Sequence, residues 1–141
     1  MEEIIKEKIS ADHLLYVSLK YTKTCDVILN LISRWKNMID KGLDRLIEKA
    51  KKEKKWKPVP DAPKAKIIQL KKIYANKKDV LDAIELYELF RDMDKLEKVR
   101  ENEFRKGVNL RVQYRGEEIS INLLKLKDYA AILEKFISSI K

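Results

Sequence analysis

The chain has one cysteine, one histidine, three glycines and three prolines among its 141 residues, and each scarcity closes off a class of chemistry. Cys25 has no partner within the chain, so one copy builds neither a disulfide framework nor a cysteine-based metal site, and a buried, inert thiol is expected. His13 is the one candidate for any histidine-dependent mechanism. The glycines stand apart at 42, 107 and 116, which excludes a Gly-rich phosphate loop. Gly-x-Ser-x-Gly, Cys-x-x-Cys and His-Glu-x-x-His are missing too. No run approaches the ~18 apolar residues of a membrane span, and the opening MEEIIKEKIS carries acids where a secretory leader has an apolar core. A cytoplasmic, non-catalytic protein with no cofactor, metal or membrane segment is the expectation.

What is present is an apolar ladder. Leu14, Ser18, Tyr21, Cys25, Ile28, Ile32, Trp35, Ile39, Gly42 and Leu46 recur at alternating steps of three and four, the spacing that lines one face of a helix. The pattern predicts one long helix over about residues 11–53, roughly 60 Å if unbroken at about 1.5 Å per residue. It leaves residues 1–10 either a separate short helix or an extension of that rod. Gly42 costs about 1 kcal/mol in a helix interior, so a close crossing or a kink is expected there. The stripe is longer than the shorter helices readily cover, and a homodimer through it is a further expectation.

All three prolines fall between residues 58 and 63, where no helix continues. A connector over 57–63 and helices over about 63–76 and 79–105 follow, the second opened by an Asp79-to-Asp82 capping box. At Gly107 the period changes to two. Val108, Leu110, Val112 and Tyr114 alternate with polar residues, Arg115-Gly116 turns, and Ile119, Ile121 and Leu123 resume, giving a β-hairpin over about 108–123. A last helix over about 126–140 buries Leu126, Tyr129, Leu133, Phe136, Ile137 and Ile140. The expected fold is mainly α: a single-domain helical bundle on one long N-terminal helix, with a single β-hairpin before the C-terminal helix.

Charge is unevenly spread. Residues 47–78 hold 12 Lys+Arg against 3 Asp+Glu, a net +9 that equals the excess of the whole chain, whereas residues 79–105 are net −4. Within the basic stretch Lys51, Lys52, Lys54, Lys55, Trp56 and Lys57 stand together, with Lys64 and Lys71 on the following helix. Lysines release counterions from phosphates and an exposed indole stacks on an unpaired base, so this is the candidate RNA- or DNA-binding segment. The plainer reading is a solvated surface, in a Lys-, Glu- and Ile-rich composition of the kind seen in heat-stable proteins, with Trp56 covering the end of the long helix. A structural or homo-oligomeric interaction module is the competing class.

Other candidates carry less. Asp79, Asp82, Glu85, Glu88 and Asp92 line one helix, and carboxylate clusters can hold divalent cations, though an acidic face pairing with the lysines explains them as well. Arg111, Gln113, Arg115, Ser120 and Asn122 give the hairpin a polar face that is an ordinary solvent-facing surface or a set of donors to RNA. The catalytic signature of the HEPN ribonucleases, small all-α domains, places an arginine a few residues before a histidine on one helix. No arginine precedes His13, so that resemblance fails where it would matter.

Overall fold

The computed structural model describes residues 1–141 in full. Helix α1 begins as Glu2–His13, passes through a π-helical stretch at Leu14–Ser18 and closes with the turn Leu19–Tyr21. Helix α2 is Cys25–Lys52, α3 is Pro63–Ile73 and α4 is Lys78–Asp92, followed by a 3-10 turn, Met93–Lys95. Strands β1 (Lys98–Glu101), β2 (Asn109–Tyr114) and β3 (Glu117–Asn122) precede the final helix α5, Leu123–Ile140. The protein is mainly α, with its strand pair before the C-terminal helix, and no helix is long and apolar enough to cross a membrane.

The single rod expected over residues 11–53 is two helices. Thr22 (φ −128°, ψ 88°) and Thr24 (φ −122°, ψ 156°) leave the helical region, and α1 folds back along α2 as a helical hairpin. Residues 1–10 belong to α1. The three-and-four spacing runs on through the bend in sequence, but on α1 the buried residues are Ile4, Ala11, Leu15 and Leu19 while the rung Tyr21 is exposed, so the ladder does not mark the inner face there and its periodicity hides the break. The bend is held by polar groups. Thr24 Oγ1 accepts from Val27 N at 3.3 Å and caps α2, Glu103 Oε1 accepts from Cys25 N at 3.0 Å, and Phe104 N donates to the Lys23 carbonyl at 2.6 Å. Farther along, Glu7 of α1 reaches Lys41 of α2 at 3.3 Å, and Lys8 joins Glu134 of α5 at 2.7 Å.

Helix α2 is the centre of the core. Ile28, Leu31, Ile32, Trp35, Met38 and Ile39 are all buried, as are Leu43, Leu46 and Ile47 farther on, because α1, α4 and α5 cover the stripe. The α2 part of the stripe that a homodimer would use is therefore occupied within one chain, while Val17 and Tyr21 of α1 stay exposed. Gly42 marks a close crossing and not a kink: a Cβ there would lie 2.6 Å from Phe136 Cε2 and 3.1 Å from Ile140 Cδ1 of α5. About two turns away, Trp35 of α2 stacks on Phe90 of α4 at 6.1 Å, and Tyr129 of α5 meets both rings edge-on. Such pairs contribute about 0.5–1.5 kcal/mol each beyond burial. Burial pushes the Tyr129 hydroxyl up to about 12, and the Tyr87 hydroxyl, donated to Asp40, is pushed up by the same cause.

Two expectations about the middle of the chain need correction. The helix read over 79–105 stops at Asp92, and residues 98–101 form a third strand, paired antiparallel to β2 with Val99 opposite Arg111. The strand was hidden because its polarity is inverted. Lys98 and Arg100 share the inner face with Val112 and Leu110, while Val99 is exposed. Lys98 Nζ donates to the Met93 and Leu96 carbonyls and Arg100 pairs with Asp26 at 2.8 Å. The partly buried charge of Lys98 and the exposed Arg100 on this edge strand oppose further strand addition. The Asp79 capping box is also absent: Asp79 makes no cap, and Asp82 instead accepts from Lys78 at 3.2 Å. Between β2 and β3, Arg115 (φ 51°) and Gly116 (φ 80°) make the two-residue turn whose positive φ values suit a twisted hairpin. Leu110, Val112 and Ile121 face the core.

Candidate functional site

The basic segment starts inside α2. Lys49, Lys51 and Lys52 occupy its last turn, where cations oppose the negative end of the helix dipole. The helix closes in a Schellman arrangement, with Lys54 N donating to the Lys51 carbonyl at 3.1 Å and Lys55 N to the Ala50 carbonyl at 2.9 Å. That closure puts Lys54 at φ 60°, a left-handed position where glycine is usual and a side chain costs about 1 kcal/mol. The chain then runs on to the prolines, tied back by Gln69 Nε2 donating to the Lys57 carbonyl at 3.4 Å. Asp61 pairs with Lys66 at 2.6 Å, and the Lys66 hydrogen bond holds its carboxyl below the ordinary range.

The eight residues expected to form one interface divide into two groups. Lys51, Lys52, Lys54, Lys55 and Lys57 are all exposed around the end of α2. Lys51 reaches Glu48 at 3.6 Å and Lys55 reaches Glu53 at 3.2 Å, both in open solvent, where such pairs are worth about 0–1 kcal/mol and exchange readily for another anion. Lys49, Lys52, Lys54 and Lys57 have no carboxylate within 4.0 Å. Trp56 is half-buried and packs against the core, so its indole covers the helix end and does not stand free for stacking.

Lys64 and Lys71 line a different feature, a cleft of about 230 Å³ between α3 and α4 that includes Arg91, Asp92 and Arg115. Lys71 is committed there. It meets Glu88 at 2.7 Å while Arg115 meets the same carboxylate at 3.1 Å. Burial works to raise the Glu88 carboxyl, but these two hydrogen bonds outweigh it and hold it below its ordinary value.

No protein-family model, curated protein or solved structure matches the chain. Its residues alone carry the functional argument.

The remaining candidates are placed as follows. His13 is exposed on α1, 3.5 Å from Ser18 Oγ. No three of the chain's His, Cys, Asp or Glu residues gather in a group able to hold a metal ion. On the hairpin's polar face Arg111 lies 3.5 Å from Glu101, Gln113 donates to Glu118 at 3.2 Å, and Asn122 accepts from Lys125 N at 2.9 Å as the cap of α5, so most donors offered to RNA are already engaged. Cys25 is fully buried with its thiol 3.4 Å from the Asn109 carbonyl, and burial raises its pKa.

One grouping had no counterpart in the linear sequence. Lys20 and Lys23 at the end of α1, Lys106 in the β1–β2 loop and Lys127 on α5 rim an apolar groove. They come from three separate segments of ordinary local charge, and no spacing connects them.

Proposed function

We propose that the protein is a non-catalytic, cytoplasmic binding protein that meets a polyanion, RNA or DNA, through the lysines at the end of α2 and the connector that follows. The observation that carries this reading is the unpaired state of Lys49, Lys52, Lys54 and Lys57, four cations within nine residues with no carboxylate within 4.0 Å. Lys54 adds to it, because a side chain is kept where glycine would relieve the backbone. Trp56 is a structural cover in this reading, so contact is made by charge on the phosphate backbone, without base stacking and without sequence preference.

Fluorescence anisotropy with labelled oligo-uridine and with a DNA duplex, titrated at several salt concentrations, tests the proposal. The parent binds with an affinity that falls steeply with salt. Reversing Lys49, Lys52, Lys54 and Lys57 to Glu weakens binding roughly tenfold or more and flattens the salt slope by about 3 for single strands. A folded quadruple variant that binds both nucleic acids as the parent does would end the proposal.

A further inference from the structure

The lysine-rimmed groove has a form that the polyanion reading does not use. Its floor is aliphatic: Leu15 and Leu19 of α1 and Val108 beside β2 are each 2% exposed and belong to the continuous core. Its walls are Tyr16 and Leu123, both left exposed. The volume is about 190 Å³. That is too small for a cofactor, whose sites run from about 300 Å³ upward, yet an apolar cavity of about 150 Å³ holds a benzene ring. One large apolar side chain is therefore the natural filling.

The rim decides what surrounds that side chain. Lys20, Lys23, Lys106 and Lys127 stand around the opening, no acidic residue lines it, and none of the four lysines has a carboxylate within 4.0 Å. Lys23 Nζ donates to the Lys20 carbonyl and Lys20 lies over the Tyr21 ring, so the first two are positioned by α1 itself. Four separated cations on three elements suit several carboxylates spaced along a chain, where a fatty acid would present only one. The lining offers one aromatic ring, Tyr16, where binding an unpaired strand draws on several aromatic rings for successive bases.

We propose that this groove docks an acidic peptide segment of a partner protein, which inserts one phenylalanine or leucine side chain onto Leu15, Leu19 and Val108 and lays its flanking carboxylates on the four lysines. The arrangement is that of an interface anchor, a buried apolar side chain ringed by charge that steers the encounter. It is independent of the lysines at the end of α2.

A fluorescein-labelled heptapeptide with a central phenylalanine between acidic residues, compared with the same peptide carrying alanine at the centre, tests the proposal by anisotropy. The phenylalanine peptide binds about tenfold or more tighter, the size expected for burying one aromatic side chain. Lys20→Glu with Lys127→Glu abolishes the difference. Leu123→Asp also abolishes it, and because it adds an acid to the first turn of α5, where negative charge is favoured, the fold is kept, as far-UV circular dichroism would show. Equal binding of the two peptides, no binding, or undiminished binding by both variants overturns the proposal. So does displacement of the peptide by oligo-uridine that is lost in the same variants, which would assign the groove to nucleic acid.

Discussion

The middle of the molecule and its N-terminal bend are held by different physics. At the crossing of α2 with α5, Gly42 admits the Phe136 ring, which is fully buried, and Trp35, Phe90 and Tyr129 close the space between three helices. The contacts there are mostly apolar, joined by Arg45 Nε of α2 donating to the Ile140 carbonyl of α5 at 2.9 Å and by the Tyr87 hydroxyl donating to Asp40. At the bend, residues 22–24 leave helical geometry and are held by hydrogen bonds, among them the one Thr24 accepts from Val27 and two to residues of the β1–β2 loop, one of these spanning 78 positions of sequence. Packing is dense, non-directional and cooperative, whereas capping bonds contribute about 0.5–2 kcal/mol each and open locally. The centre is thus expected to fail only with the whole fold, and the bend by itself.

The largest effect belongs to the centre. Phe136→Ala removes the ring seated on Gly42, and because the site is enclosed by α2 and α5 the cavity collapses little, so a loss of about 3–5 kcal/mol is expected in urea unfolding. Gly42→Ala comes next. Helix propensity alone would favour alanine by about 1 kcal/mol, but the new Cβ would lie 2.6 Å from Phe136 Cε2 and 2.8 Å from Cζ. A fully buried ring cannot swing aside, so overpacking of about 1–3 kcal/mol wins. The sign is the decisive part. In a Phe136→Leu background the clash is relieved and Gly42→Ala becomes neutral or stabilising, a coupling read from the double-mutant cycle. A Gly42→Ala protein more stable than the parent would show that the crossing is looser than these distances require.

The same division explains what could be read from the chain. A special position at Gly42, left open between a close crossing and a kink, the six buried positions of α5 and the Arg115-Gly116 hairpin were legible because each leaves a local mark: a glycine on an apolar ladder, a 3.6-residue period, a two-residue turn between alternating runs. The bend was not, since the three-and-four spacing of Leu14, Ser18, Tyr21 and Cys25 continues through it in sequence although α1 buries Leu15 and Leu19 instead and leaves Tyr21 exposed, and what ends α1 lies on the far side of the sequence, at Glu103 and Phe104. Strand β1 was missed for a related reason. Lys98 and Arg100 stand on the face of Val112 and Leu110, Lys98 satisfied by carbonyls and the exposed Arg100 by Asp26, while the apolar Val99 is on the other face, so the alternation that marks a strand is reversed. Of the basic residues, the run at 51–57 announced itself by density, but its pairing did not. Lys71 is spent on Glu88 and Trp56 on the core, while the groove of Lys20, Lys23, Lys106 and Lys127 exists only after three segments meet.

The smallest predicted effect sharpens the comparison most. Thr24→Ala removes the side-chain cap of α2, and Glu103→Ala removes the acceptor of the Cys25 amide along with the 3.4 Å contact to Arg100. Each should cost about 1 kcal/mol, too little to alter the fold. The thiol of Cys25 is itself the reporter, because it is fully buried at the first residue of α2 and reacts with an aromatic disulfide reagent only when the bend opens. If the bend opens locally, either variant speeds native-state labelling about fivefold, the ratio that 1 kcal/mol implies, while Gly42→Ala, which touches nothing at the bend, leaves the rate unchanged despite its larger cost in global stability. Labelling that instead follows global stability across all three variants would mean that bend and centre open together, and the division between a packed middle and a hydrogen-bonded bend would not describe how this molecule comes apart.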